Sequence, residues 1–353
     1  MSSGKVTLVF NTKNTFVIKD IILLEKMGLK VYLIHSPAYK KPFQFFLNRF
    51  REFFLGIYYI IQSKALFIWF NDYHTFVPIC LARIFRKSSI IIVGGYDAVA
   101  SNSLNYGIFL NKNFRYFIAK RNYKIANKIW VVHKSLEDGC PFADETSEIK
   151  SGIKRFIPNL KTPILEVPTA YESNFWKKQN LKIKKTVITV ANISDERTFK
   201  RKGIPLFIRL AHALPDFKFT LAGIEEDFSL QYNFPKNIRL LARQNRDQLK
   251  ILYAKHTYYF QGSKIEGLPN VLCEAMLLEC VPIGKKSFGI PDVIGETGLL
   301  FGLNDGEEKI VNFLKKNHKG LGSKARQRII EKYPLQRRQN AFEKVLIQKK
   351  FNV

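Results

Sequence analysis

A chain of 353 residues with 46% hydrophobic side chains has room for two domains, each with its own core, and is too apolar to be disordered. Its 57 Lys and Arg against 29 Asp and Glu give a net charge of +28, spread evenly at +13 over residues 1–170 and +15 beyond, so there is no detachable basic arm. The four cysteines form no CxxC pair and the six histidines are scattered, which excludes a zinc module or a disulfide framework as the organising feature.

In chain order, "VTLVF" (6–10), "KVYLIH" (30–35), "ALFIWF" (65–70), "SIIIVGG" (89–95) and "KIWVVH" (128–133) are largely apolar runs of strand length, as expected of strands buried on both faces. Helical patterns fall between them. The segment 15–27 has Val17, Ile18, Ile21, Leu24 and Met27 on one stripe and stops at Gly28, and others span 43–62, 74–86 and 113–127. The pattern weakens over 140–180, a stretch richer in Pro, Thr, Ser and Asn, and then restarts. Strands are expected at 186–192, 218–223, 238–242, 258–262 and 281–285, with helices at 204–213, 247–254 and 270–279. This alternation predicts two α/β domains in tandem: residues 1–172, then 173–333, with a final helix at 334–353 returning to pack on the first. Neither a G-x-G-x-x-G strand–helix junction nor a P-loop is present, which disfavours dinucleotide and Walker-type chemistry and leaves the cleft between the domains as the default ligand site.

The stretch "SKIEGLPNVLCEAMLLECVPIG" (263–284) carries the chemistry. A strand ending near Gly262 puts residues 263–268 at its C-terminal edge, where open α/β sheets bind ligands. Pro269 suits the first helical position, so the N–H groups of Asn270, Val271 and Leu272 point out of the helix as an anion site, and Gly267 and Leu268 bring the backbone close. Glu266 lies before that helix and Glu274 lies too deep in it to cap it. Both fit as acceptors from hydroxyls flanking a bound diphosphate, and a molecule with hydroxyls on both sides of a diphosphate is a nucleotide sugar.

"EGLPNVLCEAM" resembles the E-x7-E signature of the retaining family 4 glycosyltransferases (glycosyl transferases group 1). "VPIGKKSFGIPDVIGETGLLF" downstream and "VANISDERTFKRKGIPLFIRLAHALPDFKFTLAG" upstream are similar to that family's flanking segments. The resemblance implies the GT-B architecture, two Rossmann-like α/β domains facing each other across a cleft, with the donor bound by the C-terminal one. It further implies that Glu274 holds the ribose, Glu266 contacts the donor sugar, and Lys202 in "KRKG" neutralises the departing diphosphate. Fixed positive charge is what a departing diphosphate needs, so neither metal nor cofactor is expected. The family's usual Arg before the Lys-Gly loop is replaced by Ala191-Asn192. Arg197, Lys200 and Arg201 are candidates for its work, Arg197 being placed in the catalytic set and Asn192 among the donor contacts. In "VGGYD", Gly94, Gly95, Tyr96 and Asp97 are the acceptor-side or sugar-side candidates, although Asp97 reads equally well as a turn or cap residue. His74 and His133 read as structural histidines, and Cys273 and Cys280 as buried ones.

The expected partners are a nucleotide-sugar donor and a glycan, glycolipid or lipid-linked acceptor, with no nucleic acid. No apolar run reaches the roughly 18 residues of a membrane-crossing helix and no signal peptide is evident, so a cytoplasmic protein is expected. An anionic membrane surface is a further candidate partner, through the aromatic and basic segment 40–64; the competing reading of that segment is a helix packed inside the first domain. Two other functions remain open on the residues alone, a nucleotide-sugar epimerase or hydrolase and a basic nucleic-acid-binding protein, while a third, a catalytically silent sugar-binding protein, is disfavoured because Glu266, Glu274 and Lys202 are all present.

Overall fold

The computed structural model describes residues 4–38, 41–142, 149–177 and 182–347. Residues 348–353 of the expected final helix, and Lys40 of the segment 40–64, lie outside the described residues. Two compact units are present. The first holds the described residues up to Cys140, those from Ile149 to Thr169 and those from Gln336 on; the second holds Pro141, Phe142 and the described residues from Ala170 to Leu335.

The first unit runs Lys5–Phe10 (β1), Thr15–Lys26 (α1), Lys30–His35 (β2), Pro42–Gln62 (α2), Ala65–Trp69 (β3), Tyr73–Ile84 (α3), Ser88–Val93 (β4), Val99–Ser101 (β5), Phe114–Ile125 (α4), Lys128–Val131 (β6), Ile149–Ser151 (β7), Ile153–Phe156 (α5) and Ile164–Glu166 (β8). Six of these strands form a parallel sheet in the order β2-β1-β3-β4-β6-β8, and β5 pairs antiparallel with β7. The runs of β1, β3, β4 and β6 are buried almost end to end, because helices cover a parallel sheet on both faces, whereas β2, expected to be buried likewise, is an edge strand with Leu33 exposed and only Ile34 in the core. Asp72 starts α3 through a capping box with Thr75, which satisfies backbone donors that the helix itself cannot.

The second unit runs Ile183–Ile193 (β9), Glu196–Arg201 (α6), Ile204–Ala213 (α7), Lys218–Ile224 (β10), Glu226–Ser229 (α8), Ile238–Leu241 (β11), Arg246–Lys255 (α9), His256–Gln261 (β12), Asn270–Leu277 (α10), Val281–Lys285 (β13), Ile290–Ile294 (α11), Leu299–Phe301 (β14), Glu307–Lys315 (α12) and Leu321–Lys332 (α13). Its parallel sheet has the order β11-β10-β9-β12-β13-β14. The chain winds outward from β9 to β11, then crosses to the other side of β9 to lay down β12. A topological switch point therefore lies between the C-terminal ends of β9 and β12, the place in an open α/β sheet where ligands bind.

The last helix, Leu335–Ile347 (α14), rejoins the first unit through one buried side chain. Arg338 places Nε on Asp20 Oδ1 at 2.5 Å and Nη2 on Asp20 Oδ2 at 2.6 Å, and its Nη1 donates to the carbonyls of Val167 and Pro168, each at 3.0 Å. Trp69 Nε1 donates to Asp20 as well, at 2.8 Å, and Phe342 of α14 packs edge-on against Phe67. Both ions are buried, and the hydrogen bonds around them offset much of the cost of removing them from water. Replacing Arg338 by Met would strand the Asp20 carboxylate. We expect about 3–5 kcal/mol of lost stability in urea unfolding, with Asp20→Asn added to Arg338→Met recovering part of it.

Candidate functional site

The switch point brings together two loops that the sequence analysis had singled out separately. After β9 the chain turns through Asp195, whose side chain caps α6 by accepting from the Thr198 N–H, and α6 ends on Lys202. Gly203 follows in the left-handed region, φ +75°, and caps α7. A Cβ at Gly203 would stand 2.3 Å from the carbonyl oxygen of Gly262, so a hydrogen is needed there for the two loops to meet. One backbone hydrogen bond fastens them, Lys264 N–H to Arg201 C=O at 2.8 Å. Held this way, Lys202 Nζ reaches Glu266 Oε2 at 2.6 Å, and both side chains are largely withdrawn from solvent.

Burial by itself would raise the Glu266 carboxyl. The charges of Lys202 and Arg201 beside it, with a hydrogen bond from Ser263, overturn that and hold it below its usual range. For the Lys202 ammonium, burial pushes the pKa down, Glu266 pulls it up, and Arg201 pushes it down further. The carboxylate is therefore ionised at neutral pH and faces two cations. It is also tied into the strand: Tyr259 OH donates to Gln261 Oε1 at 3.2 Å, and Gln261 Nε2 donates to Ser263 Oγ at 2.7 Å. Sequence reasoning missed Gln261 and Ser263, although their polar side chains at the mouth of an apolar strand were a visible signal.

Pro269 is the residue before α10 rather than its first helical residue, the position expected of it from the sequence. With φ −76° and ψ 99° its backbone is still extended, as the cap position requires. The first helical bond joins Cys273 N–H to Pro269 C=O at 3.2 Å, so the N–H groups of Asn270, Val271 and Leu272 remain ahead of the intrahelical ladder. Asn270 Oδ1 accepts from Tyr171 OH at 2.8 Å, and Gly267 and Leu268 are buried in the approach to the helix. Glu274 lies inside α10 and is only 2% exposed, beside Tyr253 and Tyr259. Asn192 is exposed near the end of β9, next to Ala191, whose carbonyl faces Gly223 at the register shift between β9 and β10.

The three candidate cations separate by helix phase. Arg197 is exposed on α6, with Asp195 at 3.9 Å, and Lys200 is exposed and paired with Glu196 at 3.0 Å. Arg201 is half-buried, and its charge acts on both Lys202 and Glu266. Among the described residues no three His, Cys, Asp or Glu side chains gather as metal ligands would.

In the first unit, Gly94, Gly95, Tyr96 and Asp97 follow β4. Gly94 packs against the Phe70 ring, where a Cβ would meet it at 2.5 Å. Asp97 is fully buried and turned inward: its carboxylate accepts from the N–H groups of Gly94 at 3.2 Å, Gly95 at 3.0 Å and Asn71 at 3.1 Å. It clamps the ends of β3 and β4 together and offers no surface to a ligand. Burial outweighs those hydrogen bonds and raises its pKa to about 6. Tyr96 is half-exposed, and its hydroxyl accepts from Arg115 Nη2 at 3.3 Å; Arg115 is in turn forked onto Asp72. His74 is buried and neutral, its pKa lowered by burial to about 4, and His133 caps a short turn through Ser135. Cys273 and Cys280 are both core residues.

Comparison with known proteins adds a family and a fold. Residues 172–333 match the family model described as "Glycosyl transferases group 1". No curated protein matches the sequence. Among solved structures, the chain is similar to sucrose-phosphate synthase from Thermosynechococcus elongatus, with TM-score 0.72, 13% identity, and 98% of this chain and 99% of that one covered. It is also similar to HepE from Anabaena, solved in complex with UDP, with TM-score 0.68, 12% identity and 97% and 99% coverage. A glycosyltransferase from Rickettsia africae aligns over the whole of both chains with TM-score 0.65 and 11% identity. The shared architecture is the GT-B fold.

Two outcomes follow for these loops. Gly203→Ala should cost about 1–3 kcal/mol from the backbone conformation alone, with the clash at Gly262 added, read as a lowered unfolding midpoint. For Asp97, carboxyl NMR should show a midpoint near 6. Because the folded pKa is raised above the unfolded value, ionisation penalises the fold at pH above about 6, and the penalty is relieved as pH falls toward 3.8. Wild-type stability should therefore rise relative to Asp97→Asn between pH 7 and pH 5.

Proposed function

Residues 172–333 are a glycosyl transferases group 1 domain, and on that premise we propose that this glycosyltransferase moves a sugar from a nucleotide-diphosphate sugar to a glycan, glycolipid or lipid-linked acceptor, with retention and without a metal. One observation carries the reading: the buried Lys202–Glu266 pair at the switch point of the second sheet, backed by Arg201 and followed by the open end of α10. Without ligand the pair neutralises itself. A bound donor exchanges partners, its diphosphate taking Lys202 and a sugar hydroxyl donating to Glu266. The N–H groups of Asn270, Val271 and Leu272, with the positive end of α10 behind them, receive further phosphate charge.

In the transfer, the bond from the sugar's anomeric carbon to the diphosphate oxygen breaks and its electron pair leaves with the diphosphate. The acceptor hydroxyl oxygen bonds to the same carbon on the face the diphosphate leaves, and its proton passes to the departing phosphate oxygen. Lys202 and Arg201 stabilise charge that grows as the bond breaks, which is where fixed cations lower a barrier most. Glu274 is assigned to the ribose, Asn192 to the donor's other contacts, and the half-exposed Tyr96 to the acceptor side. The UDP bound by HepE supports testing uridine nucleotides first.

Thermal unfolding against a panel of nucleoside diphosphates and nucleotide sugars tests this directly. A ligand at about 100 times its Kd should stabilise the wild type by roughly 2.7 kcal/mol, and Lys202→Ala and Glu266→Ala should abolish most of that shift. A flat panel on folded protein would sink the donor site. With the responding donor, NMR of the product should show the donor's anomeric configuration kept, at a rate unchanged by EDTA. Product still joined to its nucleotide would instead mean an epimerase, and free sugar a hydrolase.

A further inference from the structure

Helix α2 is built inside out. Its inner face is closed by Gly56, where a Cβ would stand 2.8 Å from Leu81 of α3, by Ile60, and by Glu52, which is 2% exposed and paired with Arg49 at 2.5 Å. Its outer face carries Phe43, Phe46, Leu47, Phe50, Phe54 and Tyr58, spaced at three and four residues as one helical stripe, with Phe43 74% exposed and Phe46 69%. The helix therefore both packs in the unit, joining β2 to β3, and leaves an aromatic ridge in water. Helix α2 packs on α3 and α3 on α4, and these neighbours expose Ile84, Phe114 and Phe117. Scattered exposed apolar residues need no explanation, but a continuous ridge of this size marks a surface that something covers.

Charge says what covers it. Residues 41–128 contain 13 Lys and Arg and three carboxylates, Glu52, Asp72 and Asp97. All three carboxylates are buried, none more than 4% exposed. Lys41, Arg51, Arg83, Arg86, Lys112 and Arg121 are exposed on the same three helices and the turns beside them. An aromatic ridge among cations, with no exposed carboxylate anywhere in the stretch, is repelled by a second copy of itself. It is matched by a bilayer, whose anionic headgroups meet the cations while the rings enter the boundary with the acyl chains.

We infer that the α2 face of the first unit docks on an anionic phospholipid membrane, with Phe43, Phe46 and Phe50 entering the interface. No helix among the described residues is long and apolar enough to cross a membrane, and the inferred contact is of the α2 face with the membrane surface. The inference goes beyond the sugar-transfer reading and does not depend on the donor site.

The test is co-sedimentation of the full chain with phosphatidylcholine vesicles, with and without phosphatidylglycerol, at low and high salt. Phe43→Ser/Phe46→Ser/Phe50→Ser is run beside it, with Leu230→Ser, an exposed residue of the second unit, as control. The expected result is binding to the anionic vesicles that weakens at high salt and drops about tenfold or more in the triple variant, with the control unchanged. Thermal unfolding of the triple variant should match wild type, since all three rings are already in water. Absence of binding at low salt overturns the inference, as does a triple variant that binds like wild type. A wild-type dimer that the triple variant dissolves, without vesicle binding, would assign the face to self-association. Loss of duplex DNA or RNA binding in the triple variant, again without vesicle binding, would assign it to nucleic acid.

Discussion

The candidate site depends on how closely the backbone at Gly203 approaches the backbone at Gly262. Two loops that leave adjacent parallel strands normally diverge, which is what opens a crevice at a switch point. Here they are drawn together at one place by a residue without a side chain, and the hydrogen bond from Lys264 to Arg201 keeps them there. Everything chemical in the second unit is referred to that junction. Lys202 is one residue before Gly203, and Glu266 is four residues after Gly262. A side chain at Gly203 would push apart the two loops that carry the ion pair, whereas one at Gly262 would first meet the Phe260 ring, at 2.7 Å.

The two units treat buried charge differently. In the second, Glu266 is ionised because two cations outweigh its desolvation, so its charge is available to be re-partnered by a ligand. In the first, Asp97 faces only backbone N–H groups, and desolvation wins, raising its pKa. Hydrogen bonds from neutral donors satisfy a carboxylate's geometry without fully replacing the hydration of its charge, whereas a nearby cation addresses the charge itself. That contrast makes Glu266 a candidate for ligand chemistry and Asp97 a fastening of the sheet.

Most of the long strands and helices were legible because their residues do one job each, although α12 and α13 were not among the expected helices. "ALFIWF" is apolar throughout since both faces are covered, and α1 shows its stopping glycine and buries Val17, Ile21 and Leu24 of its expected stripe, while Ile18 is exposed and Leu23 is buried in its place. The short pieces were not: β5, β7 and β8 have three residues apiece, too few for any period to show, and fell in stretches read as irregular. At the site, Glu266, Lys202 and the start of α10 stood out by type and spacing. Arg197, Lys200 and Arg201 could not be told apart in one dimension, because which of three neighbouring cations turns toward Glu266 is a matter of helix phase and of where the next strand lies. Asp97 was ambiguous for a related reason. A carboxylate after a strand looks the same in sequence whether it faces a ligand or the N–H groups of its own turn.

The clasp between Arg338 and Asp20 also has a meaning in time. A ribosome delivers α1 and its carboxylate early, and then the whole of Ala170–Leu335, which has its own sheet and core, before α14 is made. Until that helix arrives, Asp20 has Trp69 for company but no counter-charge, and Phe67 and Trp130 lack the Phe342 ring that covers them. The half of the protein that is translated first is thus the half that finishes last, and a chain that ends just after residue 335 holds a complete second unit and an unsealed first one.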